Sequence, residues 1–174
     1  SYTSFDQKIE SVTAKSDGSF EVKVSVKNTG NTAGKKSVLL YAQTPYGTYE
    51  KENGVEKSAI QLVQFGKTKL LNKGESETIT LDVDKYLLAS YDRNEAKTYI
   101  ISEGDYYFAV GNGAHEALNN VIGVKNPSAA LTDHNGTNYQ ANANCVQKVA
   151  ISGAMDAYKY SHYDDSVEVT NQFD

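Results

Sequence analysis

The sequence predicts an all-β protein: an immunoglobulin-like β-sandwich of about seven strands, followed by a C-terminal extension with one short helix. Residues Phe20 to Val26 alternate between apolar and polar types, the period of a strand with one buried face. Val38 to Tyr41 are apolar on both parities, which suits a strand covered on both faces. No long helical pattern separates the strands, which argues against a parallel sheet.

The predicted strands follow one another at the spacing typical of such a sandwich. In order they cover residues 8–14, 20–26, 37–43, 59–65 with a continuation to 71, 75–83, 91–92, 99–101 and 105–111. Asp17-Gly18 is a hairpin signal of the type I′ class. Asn28-Thr29-Gly30 joins the second and third strands, because Asn and Gly tolerate positive φ. The apolar parity switches between Leu62 and Val63, as a bulge would cause by reversing the face of everything after it.

The remaining segments fill in the domain organisation. Residues 48–57 are predicted to form an exposed loop, 86–88 a helical turn and 93–96 a hairpin tip, and 105–111 the last strand of the core. Val24, Val26, Leu40 and Val110 are the clearest core residues. We therefore assign residues 1–113 to the sandwich, and residues 114–174 to an extension or linker that packs on the sandwich or on a neighbouring domain.

Within the extension, Leu118, Val121 and Ile122 recur at helical spacing, which predicts a short helix over residues 114–125 that Pro127 stops. Residues 126–143 resemble a loop in composition and residues 145–151 a strand. The tail over residues 159–174 is polar, bears tyrosines and has little periodicity.

Composition and charge limit the function classes. The net charge is -5, and the 17 basic residues are scattered, so nucleic acid is not an expected partner. No apolar run is long enough to span a membrane, and no signal-peptide pattern is present. The chain opens on Ser1-Tyr2 without methionine, which we interpret as an excised fragment or a processed product. The single Cys145 can form neither an internal disulfide nor a cysteine-rich metal site.

The sequence offers only weak candidates for catalytic or metal-binding residues. The close carboxylate pairs sit in polar surroundings, where solvated surface charge is the commoner reading. These pairs are Glu50 with Glu52, Asp82 with Asp84, and Asp164 with Asp165. His115, His134 and His162 lack the spacing of metal ligands. Neither Ser152-Gly153 nor Cys145 has a nearby histidine signature for a nucleophile. We therefore expect no catalytic residue, no metal site and no cofactor.

Tyrosine is abundant, with 13 residues, whereas tryptophan is absent. The candidate contact residues, for a neighbouring domain or for a sugar, are Tyr46, Tyr49, Tyr158, Tyr160 and Tyr163. Docking on a neighbouring domain is favoured, because large amphipathic rings are common at interfaces. A carbohydrate-binding module that stacks sugars on exposed tyrosines is the alternative. Tyr91 and Tyr106 are predicted to be core tyrosines with satisfied hydroxyl groups.

Four blocks in order resemble the fibronectin type III-like domain of glycoside hydrolase family 3, the family of β-glucosidases and β-xylosidases. The first block is V-K-N-T-G-N-T-A-G-K-K-S-V-L-L-Y over residues 26–41. The second is L-V-Q-F-G-K-T-K-L over residues 62–70 with Gly74-Glu75-Ser76. The third and fourth are L-A-S-Y-D over residues 88–92 and E-G-D-Y over residues 103–106 with Val110-Gly111. The opening Ser1 to Phe5 resembles the entry into that domain.

The resemblance implies a non-catalytic domain that braces the catalytic domains of a β-glucosidase-like parent, and those domains are then its partners. Family members carry the nucleophile in a Ser-Asp-Trp setting, and this chain has no tryptophan. The catalytic carboxylates of a retaining parent would lie outside these residues. The continuation beyond Gly111 and the ending over residues 169–174 resemble the subgroup with permuted catalytic domains. Contact with an oligosaccharide is the less favoured alternative, and a cytoplasmic location is a guess for the parent.

Overall fold

The computed structural model describes residues 3–45, 60–92, 98–152, 155–156 and 169–171. The strands are β1 (Phe5–Ala14), β2 (Phe20–Asn28), β3 (Ser37–Gln43), β4 (Gln61–Lys67), β5 (Ser76–Val83), β6 (Ser90–Asp92), β7 (Thr98–Ile101), β8 (Gly104–Gly111), β9 (Val146–Ile151), β10 (Met155–Asp156) and β11 (Val169–Asn171). The helix α1 spans Ala114–Lys125. A short 3₁₀ turn covers Lys85–Leu87, close to the helical turn that the sequence predicts.

Two antiparallel sheets face each other, and the predicted all-β sandwich is confirmed. One sheet has the order β1-β2-β5 and the other β11-β9-β8-β3-β4. Their facing side chains form one apolar cluster, in which the rings of Phe20 and Phe108 have centroids 5.3 Å apart. The core residues that the sequence predicts are all fully buried, namely Val24, Val26, Leu40 and Val110.

The prediction that residues 105–111 form the last strand of the core is wrong. Strand β9 returns antiparallel to β8, and Val149 lies opposite Tyr106. Val149 and Ile151 belong to the same apolar cluster as the rest of the core. The hairpin β6–β7, which the sequence places among the main strands, instead forms a small separate sheet with β10. The division into domains at residue 113 stays a prediction.

Part of the tail also has regular structure. Residues Val169–Asn171 form β11, which pairs with β9 at one edge of the larger sheet. The rest of the predicted tail lies outside the described residues, as do the predicted loop over residues 48–57 and the hairpin tip over residues 93–96.

Position 30 requires glycine because two segments of the chain approach closely there, and not because the residue has a positive φ angle. Among the described glycines, positive φ occurs at Gly18, Gly74, Gly104 and Gly136. A Cβ atom on Gly30 would collide with Thr3 Oγ1 and lie 2.7 Å from the backbone nitrogen of Ser4. The connection between β2 and β3 therefore packs directly on the chain that enters β1.

The predicted helix is confirmed, and it lies in the connection between β8 and β9. Ala117 and Val121 pack on Tyr41 and Ala109, on the face of the larger sheet that points away from the core. The buried side chain of Asn120 ties this connection down, because its Nδ2 donates to the Val110 carbonyl at 3.3 Å. Its Oδ1 accepts bonds from the Tyr139 hydroxyl at 2.8 Å and the Asn142 nitrogen at 3.0 Å. In the part of the chain that is described, no helix is long and apolar enough to cross a membrane.

Candidate docking surface

The outer face of the larger sheet, the one that carries α1, is apolar across its middle strands. Tyr41, Ala109, Ala117 and Val121 form a second buried cluster there. The half-buried residues that pack against this cluster are Leu39, Ile60, Tyr107 and Val146. The helix thus protects the outer face of β8 and the Tyr41 side chain of β3 from water, because Ala117 and Val121 pack on them.

A bulge in β4 places two further apolar side chains on this outer face. The register with β3 shifts between Leu40 and Tyr41, so that Val63 is the extra residue. The predicted bulge is therefore confirmed. Leu62 lies opposite Tyr41, and Phe65 lies opposite Leu39. Directly opposed residues of an antiparallel pair share a face, so both side chains point away from the core.

These two side chains are exposed to solvent, since α1 does not reach them. Leu62 is 47% exposed and Phe65 is 67% exposed. We call Leu62 and Phe65 the β4 patch. Lys67, two residues beyond Phe65 on the same strand and the same face, is exposed as well. Other large exposed apolar side chains of the described region are Leu70, Tyr86 and Leu87. The side chain of Gln61 donates to the Leu87 carbonyl, which places Leu87 beside the start of β4.

Two of the predicted histidines come together in a surface pocket of about 390 Å³. It is lined by Asn112, Gly113, Ala114, His115, Glu116, Asn119, Asp133, His134 and Tyr139. His115 Nε2 lies 2.8 Å from the Thr132 carbonyl. Asp133 accepts backbone N–H bonds from Thr137 and Asn135, and these bonds lower the pKa of its carboxyl group. These contacts hold the loop after α1 in place, and no group of metal-ligating side chains is found among the described residues.

Among the other candidate groups, the two described carboxylates have structural partners. Asp82 pairs with the Lys15 ammonium at 3.1 Å. Asp84 accepts the Tyr86 N–H at 2.8 Å and so caps the 3₁₀ turn. Burial raises the pKa of the Cys145 thiol to about 11, so this thiol is protonated at neutral pH and is a poor nucleophile. Ser152 is exposed at the end of β9.

Several predicted site residues lie outside the described part of the chain. They are Tyr46, Tyr49, Tyr158, Tyr160, Tyr163, Glu50, Glu52, Gly153, His162, Asp164 and Asp165, and the side chain of Tyr91 is not described either. Their roles stay predictions. Tyr106 is buried, and its hydroxyl donates to the Ser102 carbonyl at 2.7 Å, which confirms a core tyrosine with a satisfied hydroxyl. Such a bond to backbone a few residues upstream is typical of immunoglobulin-like sandwiches.

Sequence reasoning missed the β4 patch. The signal was present in the bulge itself, since Leu62 and Phe65 are three residues apart and one extra residue between them puts both on the same face. Which face this is depends on the partner strand, and the alternation within β4 does not reveal it.

Comparison with known proteins identifies the sandwich. Residues 36–114 match the model of the fibronectin type III-like domain, so the sandwich contains a domain of the fibronectin type III-like class. A β-glucosidase of Ruminococcus albus is 32% identical over 121 residues, which are 67% of this chain and 12% of that protein. The crystal structure of a β-glucosidase from Paenibacillus barengoltzii is 38% identical with a TM-score of 0.55, over 65% of this chain and 12% of the other.

The domain is homologous to the fibronectin type III-like domain of β-glucosidases of glycoside hydrolase family 3. The β-glucosidase structure from Kluyveromyces marxianus covers 89% of this chain and 15% of its own, with a TM-score of 0.60. At 19% identity that likeness shows the fold alone. In each comparison the chain spans only 12–15% of the length of the protein it resembles.

Proposed function

We propose that this chain is the non-catalytic accessory domain of a longer β-glucosidase-like polypeptide, and that it braces the catalytic domains of that polypeptide. The observation that carries the proposal is the homology to a segment that makes up 12% of proteins named β-glucosidases. A segment of that size in a larger enzyme is a domain among others, and its partners are then the remaining domains of the same chain.

The chemistry of the described residues supports a non-catalytic role. A retaining glycosidase needs two carboxyl groups about 5–5.5 Å apart across a sugar-binding cleft. Asp82 and Asp84, the one predicted pair in the described region, are engaged by Lys15 and by the Tyr86 N–H. The sequence contains no tryptophan, so it cannot supply the Ser-Asp-Trp motif of the family resemblance. The catalytic carboxylates would therefore be provided by flanking domains, and the permuted order of those domains is part of this proposal.

Turnover of a chromogenic aryl β-glucoside tests the proposal. We expect none from the purified chain, and turnover from the longer polypeptide that the flanking coding sequence specifies. The matched control is a mock purification from cells without the expressed chain, which removes host glycosidase as an explanation. Turnover by the chain itself above that control would overturn the proposal, as would flanking sequence without any catalytic domain.

A further inference from the structure

We propose that the β4 patch is the surface by which this domain docks on the catalytic part of the same polypeptide. This inference rests on the proposed accessory function and deepens it, because it names the contact surface. Leu62 and Phe65 share the outer face of the sheet with Leu39 and Tyr41. The patch is thus the uncovered continuation of a buried apolar cluster.

The described parts of the chain itself leave the patch open. Helix α1 covers the neighbouring strands β3 and β8 through Tyr41 and Ala109. The described strand of the tail, β11, lies at the opposite edge of the sheet, since the order is β11-β9-β8-β3-β4. Phe65 keeps 67% of its surface exposed despite these elements. Because Leu62 and Phe65 lie opposite Tyr41 and Leu39, the patch continues the apolar face of the covered cluster, and contiguous exposed apolar surface is typical of interaction sites.

The occupant that fits is the remainder of a longer chain. The patch lies within residues 36–114, which match the fibronectin type III-like domain. The Ruminococcus albus relative is about eight times longer than the 121-residue segment that it shares with this chain. Tethering in one chain gives such a surface a high effective concentration of its partner, so a small patch is sufficient. Lys67 stands exposed next to Phe65 on the same face. The partner surface is therefore expected to be apolar with a carboxylate facing Lys67.

Photo-crosslinking in the full-length polypeptide tests this directly. The photoreactive analogue p-benzoylphenylalanine replaces Phe65 in one variant and Thr80 in the control. Thr80 is an exposed position on β5 in the other sheet, so it shares the fold but not the face. We expect position 65 to give an intramolecular crosslink to a peptide outside residues 1–174, at least tenfold above the yield from position 80.

Every other result counts against the docking surface. A crosslink to residues 46–59 or to any other part of residues 1–174 would show that the chain covers its own patch. A crosslinked dimer would assign the patch to a second copy, and no crosslink, or equal yields at both positions, would leave the surface free. These results are separable from failure of the accessory function, which is decided by turnover and by the effect of deleting the whole domain from the polypeptide.

Discussion

At the scale of single residues, Asn28 holds together three segments that are far apart in sequence. Its buried Oδ1 accepts bonds from Thr3 Oγ1 at 2.8 Å and from the Gly30 nitrogen at 2.9 Å. Its Nδ2 donates to the carbonyls of Thr32 and Leu71, both at 2.9 Å. The sequence predicts a turn at this position from the tolerance of Asn and Gly for positive φ. The contacts show a different cause, since the buried amide joins the β2–β3 connection to the Thr3 side chain and to the Leu71 carbonyl.

Replacing Asn28 with Ala is expected to lower the free energy of unfolding by about 3 kcal/mol, because it removes four hydrogen bonds with a net contribution of about 0.5–1.5 kcal/mol each. Urea denaturation of the chain measures this. The matched control is Asn72→Ala, an exposed asparagine in the turn before β5, with an expected change within about 0.5 kcal/mol. Equal and small effects at both positions would show that the Asn28 network is dispensable.

At the scale of elements, the sequence predicts most strands but not the order in which they pair. The sequence identifies β2 and β5 by their alternation and β3 by its apolar run, because the period of the side chains is a property of each strand alone. The pairing of β8 with β9 joins strands that are far apart in sequence. Helix α1 and the loop after it separate β8 from β9 in sequence, and the pairing of the two strands buries Val149 and Ile151 in the shared core.

The β4 patch could likewise be predicted only in part, because local pattern does not show which neighbours cover a strand. The parity switch at Leu62 and Val63 predicts the bulge in β4, but the exposure of Leu62 and Phe65 depends on which strands α1 covers. A helix that packed one strand further along would bury both residues without any change in β4. The docking surface is thus a product of tertiary packing, which sequence periodicity does not encode.

A chain that ends at residue 113 is expected to lose most of its stability, whereas one that ends at residue 152 keeps the core. Removing β9 takes Val149 and Ile151 out of the core, at about 1.5–3 kcal/mol for each buried side chain. Together this is comparable with the whole stability of a small domain, about 5–15 kcal/mol. The free energies of unfolding from urea titration compare the two chains.

The control for that truncation keeps β9 and removes the connection before it. Residues 112–143 are replaced with a short glycine-containing turn, so that β8 and β9 form a direct hairpin. We expect this variant to unfold cooperatively, with β9 still paired. If the chain ending at residue 113 proved as stable as the one ending at residue 152, the sandwich would be complete without β9, and the domain division at residue 113 would stand.

At the scale of the whole molecule, the core between the two sheets is buried, whereas the outer face of the larger sheet is only partly covered. The two sheets bury their facing sides against each other, and α1 seals the middle of the outer face. Within the described part of that outer face, the β4 patch at the edge stays exposed. A domain with this arrangement is able to fold around its own core while it keeps a small apolar surface for a partner, which is what a brace between larger domains requires.

Bracing is a coupling free energy between two parts of one chain, so it must act equally in both directions. If this domain stabilises the catalytic part, the catalytic part stabilises this domain by the same amount. A coupling of about 1–3 kcal/mol is typical and shifts the unfolding temperature of a domain of this size by about 2–4 °C per kcal/mol. We expect the isolated chain to melt several degrees below the same domain within the longer polypeptide, as measured by calorimetry.

Phe65→Glu should abolish most of that difference in the polypeptide, whereas Thr80→Glu should preserve it. Two independent transitions at the temperatures of the separated parts would mean that the domain is tethered to the enzyme without bracing it.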